Sequence, residues 1–277
     1  MNKTAKHLKI GSSKLMNSLF LGNFKAAFHG KWIEFRDFRE YNYWDDAKHI
    51  DWLRSSTEWS TIMRRYREEK EWKILCVLDI RESLSYSDGV VKKQLMQDIV
   101  SLLWGATLAS WESFWWYHVS ESGVSIVRPR KNKSSILELQ NIPDNWRNIS
   151  QALDVKFLLQ KSLKRSVVFI ISDARNCDIV SLRAAAQKHD ILYVHISSHF
   201  ENTLESSWVQ YLQSGEFGVA VDSANTKKRQ EYMRERKNIL EDFKIFLQKQ
   251  WVDGIFLDER SSLFSEFLKL MKVRERK

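Results

Sequence analysis

The chain has 277 residues, is 43% hydrophobic and carries 44 basic against 35 acidic residues, a net charge of +9. That length and apolar content suit one α/β domain with an elaboration, or two small ones. Two cysteines, Cys76 and Cys177, argue against a disulfide scaffold and fit a reducing compartment. No run reaches the roughly 18–20 apolar residues that span a bilayer. The longest candidate, from Ile99 to Trp111, is shorter and is interrupted by Ser101, Gly105, Thr107 and Ser110. The basic start, Met1 to Gly11, lacks the apolar core of a signal peptide. A cytoplasmic protein is expected. The basic residues are dispersed, and no stacking-plus-basic motif of a nucleic-acid module appears, so a nucleic-acid partner is not expected.

Residues 1–30 are polar and read as a helix followed by an extended lead-in. Residues 31–71 alternate aromatic and charged positions, a pattern of short strands and hairpins rather than a helix. The run Ser60–Lys70 alternates too and is expected to lead into a central sheet. From Trp72 the rhythm becomes strand–helix alternation, which predicts a mainly parallel sheet flanked by helices. The predicted strands are Lys73–Asp79, Ser113–Ser120, Val124–Val127, Ser166–Ser172 and Ile191–Ile196, with a turn at Gly123. The predicted helices are Val91–Ser110, Pro143–Leu159, Ile179–Lys188, Asn225–Gln250 and Ser261–Met271. Two domains follow: a β-rich extension over 1–71 and an α/β domain over 72–277.

The densest chemistry lies in the extension. Glu34-Phe35, Arg39-Glu40-Tyr41, Asp45-Asp46 and Ile50-Asp51-Trp52 interleave acids, bases and aromatics. The first apolar strand then ends in Asp79, followed by Arg81 and Ser83. This order resembles the bacterial domain-of-unknown-function 58 family. Ile171-Ser172-Asp173, His189-Asp190, Glu201 after Ser198-His199-Phe200, and Arg229 with Tyr232 extend the resemblance over residues 22–250. It implies a von Willebrand A-like α/β fold with an N-terminal β-rich extension. It also implies a partner, a MoxR-type AAA+ ATPase, with the pair serving assembly or maturation of other proteins.

In von Willebrand A domains the position of Asp79 begins an Asp-x-Ser-x-Ser metal site, completed by a threonine and a later aspartate. Oxygen ligands there hold an octahedral Mg²⁺ and leave one position for a partner's carboxylate. Here Asp79, Ser83 and Asp173 are kept, and any bound metal would use them. Arg81 replaces the first serine, and the expected threonine region, near Trp146-Arg147-Asn148, offers no hydroxyl before Ser150. An arginine beside Asp79 would occupy the cation's place. A degenerate site without cofactor is expected.

The acids Glu34, Asp45, Asp46 and Asp51 allow two readings. Their neighbouring bases suggest mutual pairing that fixes a loop; paired acids also suit a metal-dependent hydrolase, the rival function. Asp51-Trp52 reads as a buried anchor holding the extension to the sheet domain. The seven histidines, among them His7, His49, His118, His189, His195 and His199, show no metal spacing, and no P-loop, dinucleotide fingerprint or nucleophile elbow is present. A non-catalytic interaction module is therefore expected.

Tryptophan outnumbers glycine, 12 to 9, although glycine usually makes up about 7% of residues. Trp32, Trp44, Trp59, Trp111, Trp115 and Trp208 stand where the resembled family has glycine. UGA codons read as glycine in the cell would account for them; a lineage that fills turns with aromatics is the alternative. Trp44 in particular is expected to be strained in a tight turn.

Overall fold

The computed structural model of the chain describes residues 33–68, 73–85, 89–110, 113–120, 123–127, 152–203, 209–214, 217–222 and 225–275. The expectations for residues 1–30, and for the stretch 128–151, lie outside them.

Six strands form the central sheet: β3 (Lys73–Asp79), β4 (Ser113–Ser120), β5 (Gly123–Val127), β6 (Val167–Ser172), β7 (Asp190–Ile196) and β10 (Asp253–Leu257). Their order is β10-β7-β6-β3-β4-β5. Every neighbouring pair is parallel except β4 with β5, which returns antiparallel through the turn at Gly123. That glycine has φ +113, a conformation that a Cβ would strain.

The uncharged β6 and the Ile74–Leu78 stretch of β3 are buried throughout because helices cover both faces. Side-chain alternation splits the core in two. Ile74, Cys76, Leu78, Phe169, Ile171 and Val194 face α2 (Gly89–Ser110) and α6 (Leu263–Glu275), meeting Ile99, Leu103 and Phe267. Leu75, Val77, Val168, Ile170 and Tyr193 face α3 (Ile179–Lys188) and α5 (Thr226–Lys249), meeting Leu182, Phe243 and Leu247. Asp178 and Asn225 cap α3 and α5, each accepting hydrogen bonds from backbone N–H groups of the first turn. Cys76 is a plain core residue, and burial raises its thiol pKa well above the ordinary value. The result is a doubly wound α/β fold, the expected mainly parallel sheet flanked by helices.

Several local features refine or correct the expectations. The alternating run after Ser60 forms β2 (Ile62–Glu68), which pairs antiparallel with β1 (Ile33–Glu40) in a two-stranded sheet separate from the central one. Between them lies a helix, α1 (Trp52–Glu58), which the hairpin reading missed. In place of a helix running to Leu159, a bridge of Leu153 to Cys177 precedes a single 3-10 turn, Lys156–Leu159. β10 and the hairpin β8 (Val209–Ser214) with β9 (Phe217–Asp222) were not anticipated. A short helix, α4 (His199–Thr203), follows β7.

Candidate functional site at the carboxyl edge of the sheet

In an open doubly wound sheet, ligands bind beyond the carboxyl ends of the strands where the order reverses. Here that point lies between β3 and β6, and both strands end in oxygen-bearing residues. Asp79, completely buried at the end of β3, accepts from the Arg81 Nε at 2.6 Å and from the Ser172 hydroxyl at 2.7 Å. Ser172 also accepts the Ala174 N–H at 2.9 Å, and the Tyr193 hydroxyl donates to the Ala174 carbonyl at 2.8 Å. These bonds fix the turn that carries Asp173.

Asp173 accepts the Ser83 hydroxyl and the Lys92 ammonium, the latter at 3.2 Å. Lys92 bonds Glu201 as well, so its ammonium bridges two carboxylates while its side chain is 4% exposed. Arg236 closes the other side of Glu201, donating to Oε2 at 2.7 Å and to Asn202 Oδ1 at 2.9 Å. The Tyr232 hydroxyl donates to the Glu201 carbonyl at 3.1 Å. Burial alone would raise the Asp173 carboxyl, but the Lys92 charge and the Ser83 hydrogen bond outweigh it and hold the pKa below the ordinary value. Burial likewise disfavours the Lys92 ammonium, yet Asp173 and Glu201 keep its pKa above the ordinary amine value.

Thus the structure brings Asp79, Arg81, Ser83 and Asp173 together, joins Glu201 to them, and adds basic and amide residues that the sequence alone did not single out. Lys92, Arg236, Asn202 and Arg175 were missed. One signal for Lys92 was available: with Leu95, Met96 and Ile99 it occupies the apolar face of α2, where a lysine needs a carboxylate partner. Arg175 is exposed beside the cluster and makes no hydrogen bond or ion pair among the described residues. No group of three or more His, Cys, Asp or Glu side chains able to hold a metal occurs among the described residues. Chemically, the arrangement offers three cation-satisfied carboxylates, Asp79, Asp173 and Glu201, and one open guanidinium.

The family model described as "Protein of unknown function DUF58" matches residues 37–240. The chain belongs to the DUF58 family. No curated protein matches its sequence. Solved structures of similar outline include the conserved hypothetical protein BatB from Bacteroides thetaiotaomicron, at 12% identity and TM-score 0.39, covering 74% of this chain and 100% of that one. The SpRpn10 VWA domain aligns at 9% identity and TM-score 0.37, over 72% and 94%. Proximal thread matrix protein 1 from the mussel byssus aligns at 17% identity and TM-score 0.38, over 74% and 47%. No described helix of the DUF58 chain is long and apolar enough to cross a membrane.

Asp45, Asp46 and Asp51, among the N-terminal acids of this DUF58 chain, have local partners. Glu34 and Phe35 pair in β1 with Arg67 and Tyr66 of β2, and the Tyr41 N–H donates to the Thr61 carbonyl at 2.7 Å. Asp45 accepts from the Asn42 N–H at 2.9 Å and from Arg39 at 2.6 Å; these bonds hold its carboxyl below the ordinary range. Asp46 caps the 3-10 turn Ala47–His49 through the Lys48 N–H. Asp51 is buried, accepts from Arg64 Nε at 2.8 Å and caps α1 through the Arg54 N–H at 3.1 Å.

Trp52 is not the buried anchor expected. It is the first residue of α1 and is 71% exposed, so the fixing contacts belong to Asp51. Asp51→Ala should therefore fray α1, speeding amide exchange over Leu53–Glu58; unchanged exchange there would remove the capping role.

Proposed function

We propose that this DUF58 chain is a non-catalytic interaction module, acting in the cytoplasm, that docks its partner at the carboxyl edge of the sheet without a metal. The carrying observation is the Lys92 ammonium bridging Asp173 and Glu201. It supplies positive charge between carboxylates where a divalent ion would otherwise be needed, and Arg81 does the same for Asp79. The open cation, Arg175, suits an acidic side chain presented by the partner. The family resemblance points to a MoxR-type AAA+ ATPase as that partner, in assembly or maturation of other proteins. ATP hydrolysis would then belong to the partner.

Co-purification of the chain with such an ATPase under saturating Mg-ATP tests the reading. Capture is expected with the unaltered chain and is expected to be lost with Arg175→Glu, which reverses the docking charge. Metal-dependent turnover by the chain alone, abolished by Asp45→Asn or Asp46→Asn, would overturn it in favour of a hydrolase built on the N-terminal acids.

A further inference from the structure

Apart from glycine, two described residues have a left-handed backbone, Trp59 (φ 56) and Trp251 (φ 62). Both are tryptophan, a residue type that makes up 12 of 277 positions. Both sit where a helix ends. Trp59 is the C-cap of α1, at ψ 14. Trp251 follows α5 in a fully formed Schellman arrangement: its N–H donates to the Gln248 carbonyl at 3.0 Å, and the Val252 N–H donates to the Leu247 carbonyl at 3.0 Å. Leu247 and Val252, the apolar pair that accompanies this motif, are buried in the same core cluster.

The left-handed position of such a helix end is usually glycine, because any Cβ crowds the backbone there. A tryptophan could be retained if its ring gained by burial, but these rings gain nothing of the kind. Trp59 is 99% exposed and Trp251 is 87% exposed. Trp104 and Trp116, by contrast, are core residues on ordinary backbone.

We propose that positions 59 and 251 are glycine in the protein as its own cell makes it. A UGA codon differs by one base from the glycine codon GGA, and it yields tryptophan or glycine according to the genetic code used to read it. The inference rests on the backbone at two helix ends and extends to a position, 251, that the family resemblance did not single out. Trp44 does not share the signature. It lies in the Asn42–Asp45 turn, 90% exposed but outside the left-handed region, so the strain expected there is absent. Trp115 is half-buried in β4, under the Lys73 ammonium at 5.1 Å from its ring. Trp32, Trp111 and Trp208 lie outside the described residues. If 59 and 251 are glycine, the exposed rings there are not docking aromatics.

Peptide mass spectrometry of the protein purified from its source cells, with the gene sequenced in parallel, decides it. The expected result is glycine at 59 and 251 from UGA codons, with tryptophan at 104 and 116 from UGG. Tryptophan at 59 or 251 in the cellular protein overturns the proposal. In an ordinary host, Trp59→Gly with Trp251→Gly should raise the melting midpoint by roughly 2–6 °C, whereas Trp116→Gly should lower it. A midpoint lowered by the glycine pair would overturn the proposal as well.

Discussion

Lys92→Met is expected to be the most damaging single change at the sheet edge. It keeps the length of the side chain on the apolar face of α2 but removes the ammonium that Asp173 and Glu201 share. Asp173 is then a buried carboxylate with only the Ser83 hydroxyl of its two observed side-chain donors. Breaking a buried pair in this way typically costs about 3–5 kcal/mol, because the remaining charge is left uncompensated. For a domain of this size the melting midpoint should fall by on the order of 10 °C. The same variant should acquire what the unaltered chain is proposed to lack. With the amine gone, millimolar Mg²⁺ or Mn²⁺ should recover part of the lost stability by binding the freed oxygens. A Lys92→Met protein as stable as its parent would show that the bridge does not hold the edge together.

The second large effect is a loss of stability in mild acid. Burial pushes the His195 pKa down to about 3 and that of His118 down to about 4, from an ordinary 6.5. Both ring nitrogens of His195 lack hydrogen-bond partners among the described residues, and its ring lies between Phe243 and Phe256 at 6.1 and 5.4 Å. The unfolded chain takes up protons on these histidines below pH 6.5, whereas the folded chain does not until about pH 4 and then about pH 3. The unfolded state therefore binds more protons across that window, and stability must fall as pH falls. Each histidine contributes a slope of up to about 1.4 kcal/mol per pH unit. Denaturant unfolding at pH 7, 6, 5 and 4 should show the decline, with a shallower slope in His195→Phe. Identical slopes in the two proteins would mean that His195 titrates alike in the folded and unfolded chain.

The sheet was legible because its strands advertise themselves locally. Val167–Ile171 has no polar side chain, and a strand of that kind must be covered on both faces. The long α5 was legible from its apolar stripe and from Asn225, which does cap it. β10 was overlooked because Asp253 and Gly254 dilute a five-residue strand; only its parallel pairing with β7 makes it one. Trp52 was misjudged by treating a large apolar residue as a buried one, whereas the residue before it carries the contacts. The site was half legible. Asp79, Arg81, Ser83 and Asp173 could be placed from the ends of two strands. Lys92 could not be joined to them, since its partner Asp173 lies 81 residues further along the chain and only the fold brings the two together. The carboxyl edge of the sheet thus owes its chemistry to long-range pairing that no local pattern encodes.

Calorimetric titration of Mg²⁺ and of Mn²⁺ into the unaltered chain shows whether the sheet edge holds a metal. Lys92 and Arg81 already neutralise the carboxylates that a divalent ion would need. Heats no larger than dilution are expected, in the unaltered chain and in Asp79→Ala alike. A specific site of micromolar affinity, lost in Asp79→Ala, would contradict it.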